Sequence, residues 1–156
     1  MSNLVLDKID KKILLALQED GCISNIDLSV RVNISPAASL ERVCKLHEAG
    51  YILGYAAKLN PQLLNVSLMA FIEVVLDRTT PEVFDTFKDS VKIIPEVMEC
   101  YMVAGGFDYL IKVRVKDMND YREFVGQTLR RLKGVRETHT FAVMEEVKSG
   151  SSITVL

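Results

Sequence analysis

The period of the hydrophobic pattern changes near residue 67, and this change separates two parts of the chain with different secondary structure. Before it, apolar residues recur at helical spacing, as Ile9, Ile13 and Leu17 do. After it, residues 68–76 alternate as in a β-strand, with apolar side chains on most of both faces. A chain of 156 residues, 49% of them hydrophobic, can bury a substantial core in one domain or two small ones.

Helix-start signals predict three short helices before residue 50. Asp7 and Ser24 are suitable N-caps, and Asp27 follows Ser24 at the spacing of a capping box. Ser35 followed by Pro36 is a strong start for the third helix. Three helices with a tight turn between the second and the third predict a helix-turn-helix DNA-binding domain.

The third helix is expected to present one face to DNA and to pack with the other. Small residues at its start allow a close approach, and Arg42 and Lys45 can reach phosphates or a guanine edge. A solvated helix face explains each residue equally well, so the prediction depends on the three-helix arrangement. The predicted DNA-binding residues are Ser35, Ala37, Ala38, Glu41, Arg42 and Lys45, and the predicted packed residues are Leu40, Val43 and Leu46.

The charge of this helical part does not favour strong DNA binding by a single copy. Residues 1–50 contain six Lys or Arg and seven Asp or Glu residues, whereas phosphate neutralisation supplies most nonspecific affinity. We therefore expect several copies to act together on one double-stranded DNA. The same acidic balance leaves open a second hypothesis, in which the helical domain binds a protein partner.

The second part of the chain has the element order of a known α+β arrangement. The predicted elements are a strand-like tether at 51–66, a strand at 68–76, a helix opened by Thr80-Pro81, strands at 97–103 and 109–115, a helix capped by Asp117 or Asn119 and ended by Gly134, and a strand at 135–147. The order βαββαβ predicts a ferredoxin-like domain over residues 67–156. The predicted fold is therefore a three-helix winged helix-turn-helix (residues 1–50), a strand tether and a ferredoxin-like domain.

Two helices of such a domain cover one face of a four-stranded antiparallel sheet and leave the other face open. Because the first strand is apolar on both faces, the open face needs a cover, and a second copy can provide it. We therefore expect a homodimer in which two sheets face each other.

Gly105 and Gly106 lie between two apolar runs and predict a hairpin, because they allow the backbone conformations of a tight connection, including positive φ angles. Asp108 then lies where the second strand begins, beside exposed backbone N–H groups, and can help to hold a small zwitterion. A solvated aspartate in an ordinary turn is the commoner arrangement for these residues taken alone.

Other features exclude several classes of function. Cys22, Cys44 and Cys100 are far apart, so packed thiols are expected rather than disulfides or a zinc site. His47 and His139 have no metal-ligand spacing and no nearby nucleophile, so neither an enzyme nor a bound metal or cofactor is expected. The N-terminal residues do not resemble a signal peptide and no apolar run has the length of a membrane span, so a cytoplasmic protein is expected.

The whole chain resembles the Lrp/AsnC family of transcriptional regulators, and is more similar to its leucine-responsive branch than to its asparagine-responsive branch. Each motif is weak alone, but their order along the chain is specific. The resemblance is densest in residues 6–14, 21–24, 34–43, 50–52, 103–110 and 143–148.

This resemblance implies a regulator whose C-terminal domain binds an amino acid and whose dimers associate further, often into octamers with DNA wrapped outside. It implies that the effector lies where the Gly-x-x-Asp loop of one dimer meets a neighbouring dimer. Asp108 would then pair with the effector's ammonium and backbone N–H groups with its carboxylate, while Met102 suits a leucine or methionine side chain. The implied effector-binding residues are Met102, Val103, Gly105, Gly106, Phe107 and Asp108.

Three positions depart from the leucine-responsive branch. Gly106 replaces a residue that is often acidic there, Ala37 replaces a hydroxyl residue, and Cys44 replaces a basic one. The identity of the effector and the preferred DNA sequence therefore do not transfer directly from the family.

Overall fold

The computed structural model describes residues 5–129, 132–150 and 152–155, which form two compact units. One unit contains the described residues up to Lys58 together with those from Lys148 onward, and the other is Leu59–Val147. The sequence-based boundaries differ, because they assign the C-terminal segment to the second domain. This segment lies on the first unit, where the Gln18 side chain accepts a hydrogen bond from the Ile153 N–H (2.7 Å) and donates one to the Ile153 carbonyl (3.1 Å).

Three helices form the first unit: α1 (Lys8–Glu19), α2 (Asn25–Val32) and α3 (Pro36–Glu48). Their N-caps Asp7, Ser24 and Ser35 each accept a hydrogen bond from a backbone N–H of the first turn. Asn33 ends α2 in the left-handed conformation, with φ of 60°, and so makes the tight turn before α3. The predicted helix-turn-helix is confirmed.

In the structure, α3 is rotated about its own axis relative to the predicted orientation, so that different residues face the core of the first unit. Ser39 and Leu46 are buried and Val43 packs against the core, because positions 39, 43 and 46 follow one line of the helix. Leu40 is 56% exposed, so its predicted packing is wrong. The buried apolar residues of this core are Ile13, Ala16, Leu28, Val32, Leu46 and Ile52.

Residues 52–60 contain no strand, although the sequence predicts a strand-like tether there. Ile52 is buried in the core of the first unit, whereas Leu53 is exposed. A β-strand is defined by hydrogen bonds to a neighbouring strand, and this segment has no such partner within the described chain.

The second unit is an antiparallel sheet with helices, as predicted. The elements are β1 (Leu68–Leu76), α4 (Pro81–Lys92), β2 (Val97–Met102), β3 (Tyr109–Val115), α5 (Met118–Glu123), a π-helical turn (Phe124–Thr128) and β4 (Val135–Ala142). The strands follow the order β2-β3-β1-β4, which is the ferredoxin-like topology.

Two elements of this unit are shorter than predicted. The last strand ends at Ala142, which pairs with Ala70, and the chain leaves the sheet soon afterwards. The predicted α-helix changes to a π-helical turn at Phe124, and this turn contains Gly126, a poor helix former. The end of that predicted helix includes residues 130–131, which lie outside the described residues.

The two faces of the sheet have different environments. On one face, Phe87 of α4 and Phe124 next to α5 pack against buried residues of β1 and β3 such as Ile72 and Ile111. On the other face, Met69 is buried, but Tyr101 and Phe141 are exposed. This face therefore has apolar side chains that the described chain does not cover, which is the condition under which we expect a second copy to face it.

The cysteines are less buried than predicted. Cys22 and Cys44 are exposed free thiols, and only Cys100 is half-buried, where burial raises its pKa. No group of three or more His, Cys, Asp or Glu side chains among the described residues could hold a metal ion. None of the described helices is long and apolar enough to cross a membrane.

Candidate functional site

The outward face of α3 combines small, apolar and charged side chains. Ala37, Glu41 and Lys45 are exposed there, as predicted for DNA-contacting residues, and Ala38 is half-buried. The Ser35 hydroxyl accepts a hydrogen bond from the Ala38 N–H (3.2 Å), so this side chain also holds the start of the helix.

Arg42 does not share this outward orientation, although the sequence groups it with the DNA-binding residues. Its Nη1 lies 2.7 Å from Asp7 Oδ2 and 2.7 Å from Asp10 Oδ1, at the start of α1. The Asp10 side chain is 9% exposed and that of Arg42 is 31% exposed. Arg42 therefore forms a clamp between α3 and the first turn of α1.

The clamp is continuous with the N-cap of α1. The Asp7 carboxylate accepts hydrogen bonds from the N–H groups of Ile9 (2.7 Å) and Asp10 (2.8 Å), and the Asp7 N–H donates to Asp10 Oδ2 (3.1 Å). The backbone N–H of Asp10, followed by the Arg42 guanidinium, lowers the pKa of Asp7. The same ion pair raises the pKa of Arg42, with the hydrogen bond to Asp7 as the largest cause.

Lys45 is the cation of α3 that remains exposed on the outward face. Its ammonium lies 2.6 Å from Glu41 Oε1, and the hydrogen bond from Lys45 lowers the pKa of Glu41. Such exposed pairs are weak and are easily exchanged for another anion. Lys45 can therefore leave Glu41 for a phosphate.

Sequence reasoning did not identify Leu40 and Cys44 as outward-facing residues, although both are exposed in the structure. Leu40 precedes Glu41 on this face and leaves an apolar side chain exposed, which is the type of group that can contact a thymine methyl group. Ser39 could have indicated the observed orientation of α3, because a small polar residue can lie on the buried side of a helix where two helices approach closely.

A second candidate site is built around the loop at 103–108, which joins β2 to β3. The Val103 N–H donates to the Asp108 carbonyl (3.0 Å), and the Asp108 N–H donates to the Val74 carbonyl (3.0 Å). Asp108 Oδ2 also accepts the N–H of Leu76 (2.8 Å). The loop is thus fixed to the end of β1 through both the backbone and the side chain of Asp108.

The Asp108 carboxylate binds β1 at an irregularity of the sheet. Val75 pairs with Glu137 and Leu76 pairs with Val135, so Arg136 is the extra residue of a bulge in β4. Asp108 therefore has a defined role in the fold and is not a freely solvated turn residue.

The loop borders an open concavity of about 280 Å³. Of the six predicted effector-binding residues, Met102 and Val103 do not line it. Its lining consists of residues 75–79, Gly105, Gly106, Phe107, Asp108 and Arg136.

The two glycines leave their side of the loop open. A Cβ atom at either glycine would meet no atom within 4 Å, and neither residue has a positive φ angle. The hairpin therefore does not use the left-handed conformation that glycine allows. The loop tolerates a side chain at Gly106 without steric conflict.

Sequence reasoning did not identify the remaining charged residues of the concavity: Asp77, Arg78 and Arg136. They are distant from the loop in sequence, and the bulge that brings Arg136 to the concavity has no sequence signal. A larger concavity, of about 610 Å³, is lined by residues at the other end of β1 and β3, such as Val66 and Val115. It contains none of the predicted site residues, so the smaller concavity is the better candidate.

A helix-turn-helix unit accompanied by a ferredoxin-like unit with a charged concavity defines a DNA-binding regulator with a ligand-binding domain. Residues 6–52 match the profile for winged helix-turn-helix DNA-binding domains, and residues 69–153 match that of the Lrp/AsnC ligand binding domain. The chain belongs to the Lrp/AsnC family of transcriptional regulators.

Individual relatives cover nearly the whole chain. The chain is 50% identical over 150 residues to the leucine-responsive regulatory proteins of Klebsiella pneumoniae and Escherichia coli K12, a match that spans 96% of this chain and 92% of each relative. A transcriptional regulator from Neisseria meningitidis, solved in complex with L-methionine, has a TM-score of 0.93 and 39% identity, with 96% and 97% of the two chains covered. An AsnC family regulator from Agrobacterium tumefaciens has a TM-score of 0.91 and 30% identity with the same coverage.

Proposed function

We propose that this chain is an amino-acid-responsive regulator that binds leucine or methionine in the concavity beside Gly105, Gly106, Phe107 and Asp108. The observation that carries this proposal is the charge arrangement of that concavity, where two carboxylates and two guanidinium groups border one small space. An amino acid needs both signs of charge close together. The names of the relatives support the choice of effector, because they include leucine-responsive proteins and a complex with L-methionine.

Asp108 is suited to an ammonium group despite its bond to the backbone. Its Oδ2 accepts the N–H of Leu76, and Oδ1 has no hydrogen-bond partner among the described residues. A carboxylate has several acceptor positions, so the fixed oxygen orients the free one. The loop thus presents a pre-oriented acceptor at the edge of the concavity, while Phe107 offers an apolar surface to a side chain.

DNA binding is assigned to the outward face of α3. Ala37, Ala38 and Leu40 allow close or apolar contact, while Glu41 and Lys45 are polar groups near the centre of this face. Ser35 and Arg42 contribute by fixing the start and the position of the helix. Double-stranded DNA is the proposed partner.

Assembly links the two sites in this proposal. The open sheet face, with Phe71, Tyr101 and Phe141, is covered by a second copy, and dimers associate further, with an octamer favoured. The effector binds between dimers and alters their association, which changes the spacing of the α3 helices on DNA. The expected coupling free energy between effector and DNA sites is about 1–3 kcal/mol.

A second function is supported by the charge of the first unit. Six basic against seven acidic residues in positions 1–50, together with exposed Leu40 on α3, also suit a protein partner. Gel-shift titration on promoter DNA at two salt concentrations separates the two functions. Specific, salt-sensitive binding supports the DNA regulator, and a lack of binding at low salt supports the protein-partner function.

Calorimetric titration of the twenty amino acids into the purified protein tests the effector, with Asp108→Asn as the decisive variant. Asparagine keeps an acceptor for the Leu76 N–H but removes the charge, so we expect leucine and methionine affinity to fall about tenfold or more. Asp89→Asn is the matched control, because Asp89 is exposed on α4 and does not line the concavity. Equal affinity of Asp108→Asn and the unaltered protein would contradict the site assignment.

A further inference from the structure

Arg136 is placed at the candidate effector site by an irregularity of the sheet. In β4 it is the extra residue between Val135, which pairs with Leu76, and Glu137, which pairs with Val75. Bulges occur often beside binding sites because they redirect a side chain. Here the redirected residue lines the concavity beside the Gly105–Asp108 loop.

The guanidinium of Arg136 has no bonding partner among the described residues. It forms no salt bridge with any described residue, and Arg136 is exposed. Lys112 and Arg114 of the same unit are paired with Glu99 and Glu146, whereas Arg78, which also lines the concavity, has no salt bridge with a described residue either. An arginine that lines a concavity without a carboxylate partner is available for an anionic ligand.

Asp108 and Arg136 bring opposite charges to different parts of the concavity. Asp108 is bonded to Leu76 at the bulge, and Arg136 is the bulge residue on the facing strand. Asp108 precedes β3 and Arg136 lies in β4, so the two residues reach one concavity from the strands on either side of β1. An arginine fork matches both oxygens of a carboxylate, which gives a stronger and more selective contact than a single N–H group.

We infer that Arg136 binds the α-carboxylate of the effector and makes the site selective for amino acids with a free carboxylate. This inference rests on the proposed function, in which the concavity holds the effector. Under this inference, Arg136 is the principal ligand of the carboxylate instead of the backbone N–H groups of the loop. It also adds a residue, outside the Gly-x-x-Asp motif, that the sequence pattern does not indicate.

The test compares each amino acid with its amide, which lacks the carboxylate charge. L-leucine, L-leucinamide, L-methionine and L-methioninamide are titrated calorimetrically into the full-length protein at pH 6.5, below the ordinary α-amino pKa of about 7.7–8.0. All four probes then carry an ammonium group. We expect the unaltered protein to bind each acid about tenfold or more tightly than its amide.

In the Arg136→Gln variant, the acid should lose affinity while the amide does not, so that the ratio of the two falls close to one. Arg136→Lys should restore part of the ratio, because lysine keeps the charge but not the fork. The matched control is Arg122→Gln, an exposed arginine of α5 that does not line the concavity, and it should leave the ratio unchanged. Thermal unfolding of each variant verifies that the fold is intact.

The possible failures can be told apart. If the unaltered protein binds none of the four probes, both the proposed effector and this inference are overturned. If it prefers the acids and Arg136→Gln keeps that preference, the proposed function stands and the role of Arg136 is overturned. Loss of the preference in Arg78→Gln but not in Arg136→Gln would assign the carboxylate to Arg78 and equally overturn the inference.

Discussion

Replacing Arg42 by alanine separates two roles that a basic residue on α3 can have. The sequence suggests a DNA contact, whereas the structure pairs Arg42 with Asp7 and Asp10 of the first unit. The first role predicts a loss of DNA affinity alone, and the second predicts a loss of stability as well. The substitution is informative because the two roles differ in size and in salt dependence.

The expected loss of stability follows from the burial of the partners. Without Arg42, the Asp10 carboxylate, which is 9% exposed, keeps one hydrogen bond, from the Asp7 N–H (3.1 Å). Breaking a fully buried ion pair costs about 3–5 kcal/mol, but Arg42 is partly solvated, so water can replace some of the interaction. We therefore expect a loss of about 2 kcal/mol in the free energy of unfolding.

The assay combines thermal unfolding with DNA titrations at several salt concentrations. A loss of about 2 kcal/mol lowers the melting temperature of a small domain by roughly 8–16 °C. A residue that positions α3 should weaken DNA binding without changing its salt dependence, since it neutralises no phosphate. A phosphate contact would reduce the slope of log K against log salt by about 0.9 for each copy.

Lys45→Ala is the matched control for Arg42→Ala. Lys45 is exposed on the same helix and is paired with Glu41, so its loss should reduce the salt slope and leave the melting temperature unchanged. The clamp also predicts that Arg42→Ala and Asp10→Asn are not additive, because both remove the same interaction. An unchanged melting temperature with a reduced salt slope in Arg42→Ala would refute the clamp and support direct DNA contact.

Two further predictions concern pH and assembly. The pKa of Asp7 is lowered in the folded state, so its contribution to stability is present above its unfolded value near 3.8 and is lost as pH falls through the folded pKa. Acid unfolding followed by circular dichroism should therefore show less dependence on pH below about 4 in Arg42→Ala than in the unaltered protein. Phe141→Lys places a charge on the open sheet face, and light scattering should show dissociation of the dimer, whereas Met118→Lys on α5 should not. A monomeric unaltered protein at micromolar concentration would exclude the sheet-against-sheet dimer.

The elements that local chemistry defines could be predicted from the sequence. Asp7, Ser24 and Ser35 act as N-caps because each supplies an acceptor at the first turn of its helix, independently of the rest of the fold. The hairpin at residues 97–115 follows from two apolar runs and a short connection that contains two glycines in the same way. The element order and the ferredoxin-like topology then follow from connection rules.

Features that depend on tertiary contacts could not be predicted. In the sequence of α3, a buried stripe that includes Leu40 has spacing as regular as the observed stripe with Ser39. Only packing against the other helices selects Ser39 for the buried side. Arg42 looks like a DNA-binding residue because its partners lie 32 and 35 positions away in the chain. Arg136 reaches the concavity through a bulge, which is a property of paired strands and not of either strand alone.

Arg42 and Asp108 share one property that changes how both sites should be tested. Each is a charged residue that the sequence assigns to a partner molecule, and each is bonded within the fold, Arg42 to Asp10 and Asp108 to Leu76. An alanine at either position removes the charge and the internal bond together, so lost function does not by itself identify a lost contact. Asp108→Asn keeps the bond to Leu76 while it removes the charge, and the salt slope separates positioning from contact at Arg42. Substitutions that divide these two effects are therefore required before either residue can be counted among those that touch a ligand or DNA.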